Sequence, residues 1–64
     1  MLVNGKEMQF DEAITIEALL IQLKLNEDRV VVEVNRQIIE KSKYGSTYLN
    51  SDDRVEIVSF VGGG

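Results

Sequence analysis

Val55-Glu56-Ile57-Val58-Ser59-Phe60-Val61, followed without a spacer by Gly62-Gly63-Gly64, is the stretch that decides the fold. Its first seven residues read as a β-strand, since β-branched side chains pack well on a pleated surface. Alternation puts Val55, Ile57, Ser59 and Val61 on one face and Val58 and Phe60 on the other. A strand this rich in Val and Ile belongs in the middle of a sheet, so the residues before it must supply strands on both sides and a layer over its apolar face.

Working back from it, Ser51-Asp52-Asp53 is a loop, and Val30-Val31-Val32-Glu33-Val34-Asn35 is a second β-branched strand with Val30, Val32 and Val34 on a common face. Arg36-Gln37-Ile38-Ile39 either extends that strand past a bend or begins a short edge strand. Residues 40–50 are polar, with a turn at Tyr44-Gly45-Ser46 and a brief strand at Thr47-Tyr48-Leu49. At the other end of the chain, Asn4-Gly5 separates two partly alternating runs and predicts a hairpin of strands at 1–4 and 6–10, because both turn positions want positive φ. Met8 and Phe10 then share one face, and Glu7 and Gln9 the other. Between the hairpin and the valine strand the period changes. Ile16, Leu19, Leu20 and Leu23 fall at i, i+3, i+4 and i+7, predicting a helix over 16–24 capped by Thr15, with Glu17 in its first turn. Ile21 lies off that stripe.

One helix with one apolar stripe needs one sheet face to cover. The expected fold class is therefore α+β, a mixed sheet of four to five strands with one helix packed on one face. The first and last strands lie parallel, because a crossover separates them. In order of appearance the strands pair 2-1-5-3, the ubiquitin-like β-grasp arrangement. Residues 1–61 form a single domain, and 62–64 a flexible glycine tail.

The chain has 64 residues, 44% of them hydrophobic and 28% charged, a balance that suits a small globule. Cys and His are both absent. Disulfides, thiolate chemistry, the usual metal ligand and the usual neutral-pH proton shuttle are thereby excluded. With a net charge of -4 and no basic footprint, nucleic acid is not an expected partner. No apolar run approaches the length of a membrane span, nor does the N-terminus read as a leader, so neither a membrane nor secretion is expected and the cytoplasm is the expected location.

The three terminal glycines have two readings. A frayed end tolerates glycine, and an adventitious tail would look the same. Alternatively, three extended residues reach about 10 Å beyond the sheet on a stalk without side chains. Such a stalk fits a narrow channel in another protein and lets the backbone approach a nucleotide closely. The carboxylate at its tip is ionised at neutral pH and inert as an electrophile until something activates it. ATP can convert it to a mixed anhydride with AMP, which a sulfur donor can displace to leave a thiocarboxylate. A chain without Cys carries no thiol of its own to compete for that carbonyl.

These residues resemble the ThiS family, the sulfur carrier proteins of thiamin biosynthesis, over essentially the whole chain. The resemblance rests on Asn4-Gly5-Lys6, on Thr15-Ile16-Glu17-Ala18-Leu19-Leu20, on Val32-Glu33-Val34-Asn35 with Ile38-Ile39, and above all on Asp53-Arg54-Val55-Glu56-Ile57-Val58-Ser59-Phe60-Val61-Gly62-Gly63-Gly64. It implies a β-grasp fold and a protein co-substrate rather than an enzyme. By the same resemblance Gly64 is adenylated by a ThiF-type adenylyltransferase and converted to a thiocarboxylate, with Gly63 as the other member of the family's glycine pair and Gly62 beside it entering partner active sites. A sulfur donor such as a cysteine desulfurase system loads it, and the thiazole synthase ThiG receives the sulfur. No cofactor is bound by the chain itself; ATP is used by the activating partner.

The remaining residues have readings of their own. Val58 and Phe60, if the opposite face of the last strand covers the helix, form an apolar patch beside the tail suited to partner docking. Phe60 could instead be covered by residues 40–50. Asp52-Asp53 and Asp11-Glu12 lack a converging third ligand and read as solvated turns, and Lys6 and Arg54 as solvated cations. Tyr44 and Tyr48 read as packing at a sheet edge. Gly62–Gly64 is no phosphate loop, since no helix follows. Competing functions are a molybdopterin-synthase small-subunit-like carrier, a ubiquitin-like protein modifier joined to lysines, and a binding module with an inert tail. An autonomous enzyme would need a nucleophile–base pair or a metal set, and neither is found.

Overall fold

Asn4 and Gly5 have φ of 52° and 80° and turn the chain between β1 (Leu2–Val3) and β2 (Lys6–Glu7), which pair antiparallel. The computed structural model describes residues 1–60. The regular ladder stops at Glu7, short of the expected residue 10, though the Met8 N–H still donates to the Met1 carbonyl at 2.9 Å. Met8 and Phe10 keep their inward alternation and pack half-buried against the core, while Gln9 is exposed. Asn4 does more than turn. Its side-chain oxygen accepts from the Ile57 N–H at 2.7 Å and its amide donates to the Ile57 carbonyl at 3.2 Å. The side chain thus stands in for the backbone pairing that β1 loses by turning away, a use of Asn that explains its tolerance of the left-handed region here.

Helix α1 (Ile16–Gln22) starts at Thr15, whose hydroxyl accepts from the Ala18 N–H at 3.1 Å. The buried helix start leaves further N–H groups to satisfy. Ile16 donates to the Thr47 carbonyl at 3.1 Å and Glu17 to the Tyr44 carbonyl at 3.0 Å, so the polar 40–50 segment closes over the helix end. The helix is shorter than the expected 16–24. Lys24 takes φ of 60°, its N–H bonds to the Ile21 carbonyl at 3.0 Å, and the Leu25 N–H bonds to the Leu20 carbonyl at 2.9 Å. That bond pair is a Schellman stop, normally built on glycine. A Cβ in the left-handed region costs about 1–2 kcal/mol, partly offset by glycine's larger entropy loss on folding. Lys24→Gly is therefore expected to stabilise the fold by about 0.5–1 kcal/mol, seen as a higher urea midpoint at unchanged slope; a lower midpoint would mean that the Lys24 side chain holds the stop.

Following a short 3-10 turn at Glu27–Arg29 come β4 (Val30–Val34) and β5 (Gln37–Ile39), joined by Asn35 and Arg36, which have φ of 52° and 70°. Residues 36–39 thus resolve as a turn residue and an edge strand, with Val34 opposite Gln37. Asn35, expected at the end of the valine strand, is a turn residue whose side-chain oxygen accepts from the Arg54 N–H at 3.0 Å. A two-stranded ribbon was not expected: β3 (Ile14–Thr15) pairs antiparallel with β6 (Tyr48–Leu49). Strands of two residues carry no alternation to read.

The final strand, β7 (Arg54–Ser59), lies between β1 and β4 in a sheet of order β2-β1-β7-β4-β5. It runs parallel to β1 and antiparallel to β4. The expected order holds, with β5 added at the edge, and the architecture is the ubiquitin-like β-grasp. Ile16, Leu19 and Leu20 of the helix join Val3, Val30, Val32, Val55 and Ile57 of the sheet in one core, together with Met1, Leu49 and Tyr44. Tyr44, 3% exposed, is a core residue and not sheet-edge packing; Tyr48 is 63% exposed. Burial pushes the Tyr44 phenol above its ordinary pKa; a hydrogen bond with the Val32 backbone opposes this and the charge of Glu27 adds to it.

Candidate functional site

The sheet holds β7 in place nearly to the point where the glycines begin. Ser59 is opposite Val30, and the Phe60 N–H donates to the Arg29 carbonyl at 3.1 Å. β1 flanks β7 at Arg54 and Val55, and β4 pairs with it as far as Ser59, so the exit of β7 is held from the β4 side. Val61, Gly62, Gly63 and Gly64 lie outside the described residues, so the expected tail and its modified glycine are outside them too.

The two sides of β7 differ as alternation requires. Val55 and Ile57 are buried under the helix, whereas Val58 is 57% and Phe60 48% exposed. Phe60 is therefore not covered by residues 40–50. Register adds neighbours that sequence reasoning did not name. Val31, 37% exposed, sits opposite Val58 on β4, and Ile38 stands on the same outer face of β5 because it pairs with Glu33. Val31 could have been found from the alternation of its own strand. Ile38 could not, because its face depends on the Asn35-Arg36 turn. Four apolar side chains thus share the outer face of the β7–β4–β5 half of the sheet, where scattered single exposures would need no explanation.

The acidic candidates have structural roles or none. One Asp53 carboxylate oxygen accepts from the Asn50 N–H at 2.7 Å and the other from the Asn35 side-chain amide at 2.9 Å, so Asp53 braces the loop before β7. Among the described residues no group of three or more His, Cys, Asp or Glu side chains could hold a metal ion. Asp11, Glu12 and Asp52 rim a cleft of about 630 Å³ floored by Met8, Phe10 and Leu49, near the end of the sheet where β7 begins and away from its exit. Among the described residues no helix is long and apolar enough to cross a membrane.

Comparison with known proteins agrees with this geometry. The family model described as "ThiS family" matches residues 1–64. The chain is 41% identical over 63 residues to the sulfur carrier protein ThiS of Bacillus subtilis (strain 168), a match covering 97% of this chain and 96% of that protein. It is 42% identical over 64 residues to a thiazole synthase of Paramagnetospirillum magneticum (strain ATCC 700264 / AMB-1), but spans only 20% of that protein's length. Among solved structures, the crystal structure of a thiamine biosynthesis protein (ThiS) from Geobacter metallireducens superposes with a TM-score of 0.83 at 35% identity, covering 98% of this chain and 96% of that one.

Proposed function

The chain belongs to the ThiS family, and from that membership we propose that it carries sulfur for thiamin thiazole formation on the terminal carboxylate of Gly64. The match of the family model over residues 1–64, glycines included, carries this reading. A carboxylate oxygen of Gly64 attacks the α-phosphorus of ATP held by a ThiF-type adenylyltransferase, pyrophosphate leaves, and an acyl-adenylate forms. The outer sulfur of a persulfide on a donor such as a cysteine desulfurase system attacks the carbonyl carbon, and AMP departs with the electron pair of the C–O bond. A thiol reductant then splits the S–S bond of the acyl disulfide and leaves a thiocarboxylate. Delivery of that sulfur to a ThiG thiazole synthase returns the carboxylate, the acyl carbon taking its oxygen from water or from the carbonyl that receives the sulfur, so the chain is a co-substrate and not an enzyme.

The physical support comes from both ends of β7. Its centre is fixed in the sheet, with β1 and β4 as its neighbours, so the residues after Phe60 follow a strand that is held in place. Its exit is bordered by exposed Val58 and Phe60, which offer a partner apolar area to bury beside the reacting end. A stretch similar to this chain within a thiazole synthase of another organism favours thiazole synthase over a molybdopterin synthase as receiver. The cytoplasm, where ATP and such enzymes work, is the proposed location.

Purified chain incubated with the adenylyltransferase of its own organism and ATP is expected to release pyrophosphate in proportion to the chain added. Absence of release would contradict the reading. Phe60→Asp is expected to keep the wild-type unfolding midpoint, its side chain being half in water, yet to release pyrophosphate at least several-fold more slowly at subsaturating chain. Wild-type rates from that variant would remove Phe60 from the docking surface.

A further inference from the structure

Glu33 on β4 lies directly opposite Glu56 on β7, on the outer face of the sheet and next to Ile38. Both carboxylate residues are half-buried. Like charges opposite one another across strands oppose pairing. Among the described residues the ion pairs are Met1 with Glu7 and Lys41 with Asp28, and neither Glu33 nor Glu56 has a hydrogen-bond or ion-pair partner. Arg54 shares the face two residues before Glu56, but it is not within ion-pair distance of it. Moving along the face from the exit of β7, Phe60 comes first. Val58 beside Val31 follows, then Glu56 beside Glu33 and Ile38, then Arg54. The apolar and acidic halves adjoin, so one partner surface would cover both.

We propose that this face is a two-part docking surface for the adenylating partner, in which the apolar part takes an apolar ridge and the Glu33–Glu56 pair takes one basic side chain, a guanidinium fitting best. The proposal rests on the reading that Gly64 is adenylated by another protein. A planar guanidinium has enough donors to bond both carboxylates at once, and these stand about 5 Å apart at the Cβ level. Flanking Val58 and Ile38 would exclude water from the pair once the partner is seated, so the contact is stronger than an exposed ion pair. The chain's net charge of -4 draws a basic surface toward it. A second copy of this chain fits badly, because a two-fold contact would bring the same acidic pair toward itself. Two carboxylates without a third ligand do not make a cation site.

The test is steady-state adenylation of Glu33→Gln, Glu56→Gln and the double variant by the adenylyltransferase of the same organism, at several salt concentrations. The unfolding midpoints are expected to equal or exceed wild type, since removing one member relieves repulsion. For the double variant KM for the chain should rise about tenfold with kcat unchanged, and the fall of kcat/KM with salt should be shallower than wild type. An unmoved KM and salt slope in the double variant would overturn the proposal. So would sedimentation showing that wild type dimerises through this face and that the Gln variants dimerise more tightly. A wild-type chain that is not adenylated at all would instead sink the carrier reading, which keeps the two failures apart.

Discussion

Removal of Gly63 and Gly64 is expected to reduce adenylation and sulfur loading to background while the unfolding midpoint stays at the wild-type value. Two separate parts of the molecule give this split. Among the described residues, all the core residues lie at or before Ile57, and the last backbone bond into the sheet is made by the Phe60 N–H. The contacts that build the described core are therefore kept when residues 63 and 64 are removed. The chemistry loses its reacting carbonyl carbon, and the chain loses two residues, at most about 7 Å of extended reach. A partner active site that needs that reach is then denied the terminal carboxylate. Activity and stability assays on the same preparation check the result. A truncated chain that still supports thiazole formation would identify an inert tail and favour a plain binding module. A fall in midpoint would show that the glycines brace the fold.

Leu20→Ala is expected to leave little folded protein at 37 °C. Leu20 is 1% exposed and packs among Ile16, Leu19 and the sheet valines, and its carbonyl accepts the Leu25 N–H that ends the helix. Truncating a buried leucine costs about 2–5 kcal/mol through lost burial and the cavity left behind. A domain of this size has a total stability of roughly 3–5 kcal/mol, so a single such cavity is comparable to the whole margin. Ile21→Ala, one position along, is the control. Ile21 is 70% exposed, and its truncation should move stability by no more than about 0.5 kcal/mol. Urea unfolding of both variants tests the contrast. Equal midpoints would mean that the helix is not fastened to the sheet by the stripe containing Leu20.

The contrast between Leu20 and Ile21 also shows what was legible in the chain. The stripe at 16, 19, 20 and 23 and the alternation in 30–34 and 55–59 are long enough to mark a period, and they place the helix, the two central strands and the core faces correctly. Asn4-Gly5 is readable because both residue types favour positive φ. Asn35-Arg36 makes a turn of the same sort with a long cationic side chain at φ of 70°, for which local propensity offers no signal. Its geometry is held from outside, by the Asn35 bonds to Arg54 at the start of β7 and to Asp53 in the loop just before it, about twenty residues later. Lys24 ends the helix without glycine through the local bonds of the Lys24 and Leu25 N–H groups to the Ile21 and Leu20 carbonyls, and Tyr44 is drawn into the core by the backbone bonds that residues 44 and 47 make to the helix start. Of the named docking residues, Val58 and Phe60 followed from alternation alone. The outward face of Val31 and Glu33 was also open to alternation, but their places beside Val58 and Glu56, and the face of Ile38, come only through register, which is a property of paired strands and not of any one segment.

Intact-mass measurement of the native chain, purified from cells deprived of thiamin, tests the central claim most directly. The predicted result is a fraction of molecules heavier by the difference between one sulfur and one oxygen, with fragmentation placing the replacement on the carboxylate of Gly64. A population bearing only an ordinary carboxylate there, under conditions in which the cells are making thiazole, would contradict it.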